Sequence, residues 1–308
     1  MFSVVLLATA ASVLVACVDR GASDGKPRVA VAFFPIEEVV RRVGGDAVHV
    51  IALVPPGEDA HEYDPTPQQV TALEKTDVVV YLGKGFQPNL QKAIDSLPSS
   101  IRRVDLLNNI RLLPVGGALA GTNGTAPGET LGDGNDPHVW LDPTNMKIMA
   151  AAVASALTDE APAHASAFDA NSAVYERELA GLTGAYQVGL ANCATRVLVT
   201  SHRAFGYLAA AFHLTQVSIA GISPNDEPSA KTIKAVADYA HAHGVSTVFF
   251  QNTLPADLAA TVAREIGART AMLDSVESPS RDDLRGGANY NTIMRADLDA
   301  LRTGLECT

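Results

Sequence analysis

The apolar residues of this chain fall into short runs separated by amphipathic stretches. Arg28–Phe34 (RVAVAFF), Val48–Val54 (VHVIALV) and Asp77–Leu82 (DVVVYL) read as strands. Short apolar runs of this kind match strands of a parallel sheet covered on both faces. Between them Pro35–Val43 reads as a helix stopped by Gly44 and Gly45, and Leu90–Leu97 belongs to another. A helix also opens at Thr66-Pro67, where the threonine can cap and proline suits the first helical position. The second half repeats the alternation. Arg196–Thr200, Gln216–Ile219, Val245–Phe250 and Arg269–Leu273 are strands, and Ala204–Phe212, Ser229–His243, Ala256–Ile266 and Asn291–Leu305 are helices.

Two helical runs separate the halves: Thr144–Leu157, then the proline-free Ala163–Leu190. At about 1.5 Å per residue the second reaches roughly 40 Å, long enough to lie along two domains. The predicted fold class is therefore α/β: two similar α/β lobes with parallel sheets, joined by one long linker helix. The boundaries read as 27–159 for the N-terminal lobe, 160–191 for the linker and 192–308 for the C-terminal lobe. One stretch fits no element. Residues 114–135 are rich in Gly, Ala and Thr without hydrophobic period, and predict a surface loop of a length uncommon inside a compact domain.

A length of 308 residues agrees with two domains, and 47% hydrophobic residues are ample for packed cores. The net charge of −11 excludes a partner that needs a basic face, such as nucleic acid. Residues 1–16 carry no charged side chain and end at Leu14-Val15-Ala16-Cys17. This predicts an export signal, too short for a membrane span. Residues 1–17 also resemble a lipoprotein signal, with Cys17 the lipid acceptor. The alternative is cleavage after a small residue with no lipid. In an oxidising compartment Cys193 and Cys307 can pair, or remain two thiols; a structural role is expected for them.

Candidate chemistry centres on Asn135–Pro143 (NDPHVWLDP), which holds the only Trp. Proline biases its predecessor away from helix, so His138 is expected in a short extended segment between turns. His61 lies in the acidic loop after VHVIALV, His202 just past RVLVT and Asp274 just past RTAML. Ligands in open α/β sheets bind beyond the carboxyl ends of strands. Zinc takes four ligands from neutral imidazole, carboxylate and thiolate, which three His and one Asp would supply. None of the four lies in a short motif such as HExxH, and a loop histidine by itself is more often a surface residue than a ligand.

The chain resembles the zinc-binding solute receptors of bacterial ABC importers, of the ZnuA and AztC type. The resemblance rests on Asp136–Pro143 (DPHVWLDP), His61 followed by Tyr63 and Pro65, Thr200–Leu208 (TSHRAFGYL) and Pro224–Ser229 (PNDEPS). It implies two α/β lobes on a long helix, with Zn²⁺ held in the inter-lobe cleft by His61, His138, His202 and Asp274. It also implies periplasmic capture of zinc, delivery to an ABC permease with its ATPase subunit, and no enzymatic activity. The receptor is expected to be a monomer, anchored to membrane only through any lipid on Cys17. Manganese-selective members place Glu at the position of His202; three imidazoles favour zinc. The Gly-rich loop contains no His, so zinc is expected to arrive free or from a periplasmic chaperone.

The other histidines, His49, His164, His213, His241 and His243, are read as non-ligands. Glu227 is read as loop architecture and Asp142 as the organiser of the turn after Trp140, or a contact to a ligand histidine. Glu58, Asp59 and Glu62 either draw cations towards His61 or form a solvated loop. Three other readings stand beside the zinc receptor: a manganese receptor, a zinc hydrolase and a surface adhesin. A hydrolase would need an open coordination position and a substrate pocket.

Overall fold

Two four-stranded parallel sheets of the same strand order carry the molecule. The computed structural model describes residues 24–115, 131–221, 228–251 and 257–308. The expected export signal with Cys17, residues 116–130 of the Gly-rich loop, Pro224 to Glu227 and the expected helix start at Ala256 lie outside the described residues. The first sheet holds β1 (Arg28–Val31), β2 (His49–Ala52), β3 (Val78–Tyr81) and β4 (Arg102–Asp105), in the order β2-β1-β3-β4. The second holds β5 (Val197–Thr200), β6 (Thr215–Ser218), β7 (Thr247–Phe250) and β8 (Arg269–Met272), in the order β6-β5-β7-β8. Val29 pairs with Val50 and Val78, and Val199 with Val217 and Val248, so the central strands are apolar on both faces.

The first sheet is served by α1 (Phe34–Gly44), α2 (Pro67–Leu73), α3 (Pro88–Asp95) and α4 (Pro143–Glu160). Then comes α5 (Ala165–Gly189), whose 25 residues reach about 37 Å. The second half contributes α6 (Gly206–Ala211), α7 (Ala230–Ala242), α8 (Asp257–Ile266), α9 (Arg281–Arg285) and α10 (Tyr290–Gly304). Helix α5 packs against α4 and α1 of the first half and α10 of the second. The Glu178 carboxylate on α5 accepts from Arg42 of α1 and, at 3.0 Å, from Asn291 of α10. One side chain of the long helix thus touches both halves.

The hydrophobic core has two parts. The larger runs from β1 through α4 and α5 to α10, and the smaller lies on the outer face of the second sheet. The division follows the alternation of strand residues: Leu198 and Phe249 face the larger core, Val199 and Val248 the smaller. Cys193 and Cys307 form a disulfide that ties the segment after α5 to the segment after α10. No helix among the described residues is long and apolar enough to cross a membrane.

Two elements were not expected. Strand β4 carries Arg102, Arg103 and Asp105, all half-buried, because it is an edge strand and can afford charge where a central strand cannot. Helix α9 is a single short turn whose capping box, Ser280 with Asp283, sits in a run without apolar periodicity.

Candidate metal centre

The segment holding His61 is fastened at both ends. The carbonyl of Leu53, just past β2, accepts from the Tyr63 hydroxyl at 2.8 Å and the Gln69 amide at 3.0 Å. Gln69 is also the third residue of α2, where it completes a capping box with Thr66. The Gln87 amide donates to the Ala60 carbonyl at 2.9 Å, and Asp59 Oδ1 takes the His61 N–H at 2.8 Å. His61 is 5% exposed, and its ring meets Phe86 edge-on at 4.9 Å.

His138 is fully buried. Asp136 Oδ1 accepts from its backbone N–H at 2.9 Å and lies 2.7 Å from its Nδ1. Donation from Nδ1 leaves the Nε2 lone pair facing away from Asp136. The expected extended segment is instead one 3-10 turn, Val139–Leu141, followed at once by α4 with Asp142 as its cap. Asp142 organises that turn, and the carboxylate on the ligand-type histidine is Asp136. An Asx turn two residues before His138 is the sequence signal for it.

His202 sits in the turn after β5 and is also fully buried. Its carbonyl accepts from the Thr200 hydroxyl at 2.6 Å and the Gln216 amide at 3.3 Å. The rings of His138 and His202 stand edge-to-face at 5.7 Å, and those of His61 and His138 lie 5.2 Å apart.

The carboxylate among these rings is Glu277. Its Oε1 lies 3.2 Å from His138 Nε2 and its Oε2 lies 3.6 Å from His61 Nε2. Donor atoms of His61, His138 and Glu277 all fall within 4.8 Å of one another. The expected Asp274 lies outside that group, as does the expected His202, and Glu277 is the carboxylate inside it. Asp274 Oδ1 accepts the Val276 N–H at 2.7 Å, and its own N–H donates to Asp297 Oδ1 at 2.9 Å. Asp274 therefore builds the turn that presents Glu277. Burial raises its carboxyl to about 6, with Glu277 and Asp283 adding repulsion against the pull of the Val276 N–H. Sequence reasoning stopped at the first acid after the strand. Nothing in the pattern Asp274-Ser275-Val276-Glu277 shows that the chain turns back before Glu277.

Both ring nitrogens of His61 and His202, Nε2 of His138 and Oε1 of Glu277 are buried without an aligned hydrogen bond. Buried polar atoms of native proteins almost always have partners, and each of these four residues has at least one ligand-type atom without one, as a cation site would require. Without an ion, burial depresses His138 but the Asp136 and Glu277 carboxylates outweigh it and raise it to about 9. Burial lowers His202 to about 3, because Glu277 only partly offsets it and the other two histidines add repulsion. Glu277 is held well below the usual carboxylate range: its neighbours His61 and His138 overcome a large burial penalty. A proton on His138 thus offsets one of the two negative charges that Glu277 and Asp136 bring to the site. With Zn²⁺, one glutamate, the Asp136 carboxylate and neutral rings, the site sums to zero. His49, His164, His213, His241 and His243 join no metal-type group among the described residues.

Comparison with known proteins places these observations. Residues 29–304 match the family model described as zinc-uptake complex component A, periplasmic (ZnuA). The zinc-binding lipoprotein AdcA of Streptococcus pneumoniae is 31% identical over 97% of this chain and 60% of its own length. The chain thus spans less than two thirds of that relative. The high-affinity zinc uptake system protein ZnuA of Bacillus subtilis is 28% identical over 93% of this chain and 91% of its own. Among solved structures, the Zn(II)-bound ZnuA-like domain of Streptococcus pneumoniae AdcA superposes with a TM-score of 0.77. It is 29% identical and covers 91% of this chain and 99% of its own.

Proposed function

Because the chain belongs to the ZnuA family of zinc-uptake components, we propose that it is an extracytoplasmic receptor that captures Zn²⁺ and delivers it to the permease of an ABC importer. The observation that carries this reading is the set of buried, unpartnered donors of His61, His138 and Glu277 within 4.8 Å of one another, with the unpartnered His202 ring 5.7 Å from that of His138. Three imidazoles and one carboxylate fill the four positions zinc prefers, and the imidazole share disfavours manganese. With all four positions taken by protein, no water is left to act as a nucleophile, so the site suits carriage rather than hydrolysis. Residues 27–159 and 192–308 form the two lobes and 160–191 the linker, with His61 and His138 from one lobe and His202 and Glu277 from the other. Release then requires separation of the lobes or protonation of the rings.

The test is a chelator-competition titration with Zn²⁺ and Mn²⁺ on the native protein, Glu277→Gln and Asp274→Asn. Tight one-to-one zinc binding, far weaker manganese binding and a large loss in Glu277→Gln support the receptor. Asp274→Asn keeps an acceptor for the Val276 N–H and retains most of the affinity. Manganese preference, or a loss confined to Asp274→Asn, would refute the reading.

A further inference from the structure

Trp140 lies two residues beyond His138, yet its indole N–H crosses to the other half of the chain and donates to the Ser275 carbonyl at 2.8 Å. Both residues are buried: Trp140 is fully enclosed and Ser275 is 2% exposed. The next residue, Val276, has φ of 62°, in the left-handed region. A β-branched side chain there is strained and persists only where its surroundings hold it. The surroundings can be named. Asp297 on α10 accepts the Asp274 N–H, Asp274 accepts the Val276 N–H, and Trp140 grips the carbonyl between them. Tyr290 on α10 donates in turn to the Trp140 carbonyl at 2.7 Å. Glu277 is the first residue past this gripped turn.

We propose that Trp140 is a positioning residue for the metal site: by holding the Ser275 carbonyl it keeps Val276 left-handed and delivers the Glu277 carboxylate to His61 and His138. Packing alone would ask only for the ring, which meets Phe33 edge-on at 5.0 Å and Phe86 at 5.8 Å. The N–H carries the positioning. Without it a buried carbonyl loses its partner and Val276 can relax to negative φ, which swings Glu277 out of reach of the rings. The proposal rests on the zinc-receptor reading, since it assigns Trp140 a task at that site.

The experiment replaces Trp140, the only tryptophan, with 3-benzothienylalanine by incorporation in a tryptophan auxotroph. The isostere keeps the ring's size and puts sulfur in place of N–H, so folding is preserved; Trp140→Phe is the encoded counterpart. Zinc affinity of the isostere is expected to fall about 10–100-fold, the range for loss of a partner that orients a ligand. The visible spectrum of its Co²⁺ complex is expected to match that of Glu277→Gln. In a Glu277→Gln background the isostere should cost nothing further, because both changes remove the same contact. Val276→Gly, which takes the left-handed conformation unaided, should restore affinity to the isostere. Unchanged affinity in the isostere, losses that multiply in the double variant, or no restoration by Val276→Gly would overturn the role of Trp140. Zinc binding indifferent to Glu277→Gln in the natural protein would overturn the receptor site itself and this role with it.

Discussion

Gly206 lies against Asp136 so closely that a Cβ on it would fall 2.5 Å from Asp136 Oδ2. Asp136 cannot retreat easily. Its N–H donates to the Leu113 carbonyl at 2.9 Å, and its own carbonyl accepts from the Tyr207 hydroxyl at 3.0 Å. The absent side chain at the start of α6 therefore leaves room for the carboxylate that holds His138.

Gly206→Ala should turn that carboxylate away from His138 Nδ1 and weaken zinc binding about 10–100-fold, as loss of a histidine's outer partner does. Far-ultraviolet dichroism should stay native. Competition titration checks the affinity; a variant that binds as the natural protein does would show that Asp136 plays no part in setting the ring.

Zinc binding should release about one proton near neutral pH, because His138, raised to about 9, is protonated in the ion-free protein and must lose that proton to bind. Affinity then climbs about tenfold per pH unit from neutrality until pH reaches about 9. Calorimetry in buffers of different ionisation enthalpy reads the proton count. Affinity that is flat between pH 7 and 9 would contradict it.

Ion-free protein should lose stability in acid. His202 is held at about 3 by burial, below its ordinary 6.5, so between those values the unfolded chain takes up a proton that the folded one refuses. Stability therefore falls as pH drops from about 6.5 towards 3. His138 acts in the opposite sense, its contribution being complete below 6.5 and lost as pH rises through about 9. Denaturant unfolding of the natural protein and His202→Asn across pH 4–7 separates the two. The variant should show the shallower acid loss.

Emission from Trp140 should report metal directly. The chain has one tryptophan, and its ring centroid lies 5.2 Å from that of His138. Titration with Zn²⁺ should change the emission and saturate at one equivalent, and Co²⁺ should quench it at the same stoichiometry. A spectrum indifferent to metal would place binding elsewhere.

Breaking the Cys193–Cys307 bridge with Cys193→Ser/Cys307→Ser frees a loop of 114 residues. Stability to denaturant should fall by about 4–5 kcal/mol in the chain-entropy account. Zinc affinity should hold, since the bridge ties the segments after α5 and after α10, neither of which carries one of the four residues. An affinity loss as large as that of Glu277→Gln would argue that the bridge shapes the site.

Most of the architecture was legible because buried parallel strands advertise themselves: VAVA, VVVY and VLVT have no polar alternation to confuse them. Charged β4 had no such signal, since an edge strand needs none. His61 and His202 were expected from their places beyond strand ends and His138 from the DPHVWLDP resemblance. Glu277 could not, because its position depends on Val276 adopting a conformation that sequence disfavours. Nor could the Trp140 grip, since it joins residues 135 positions apart.

The second sheet separates two packed layers, and Phe205, Leu273 and Val276, close in sequence to His202 and Glu277, belong to the inner one. The outer layer, Val197, Val199, Val236, Val248 and Val262 among others, shares no buried cluster with them. A change such as Val236→Ala therefore taxes the fold without moving a donor atom. Sequence drift and metal preference are uncoupled across that sheet, so this half can diverge on its outside while its ion chemistry stays fixed.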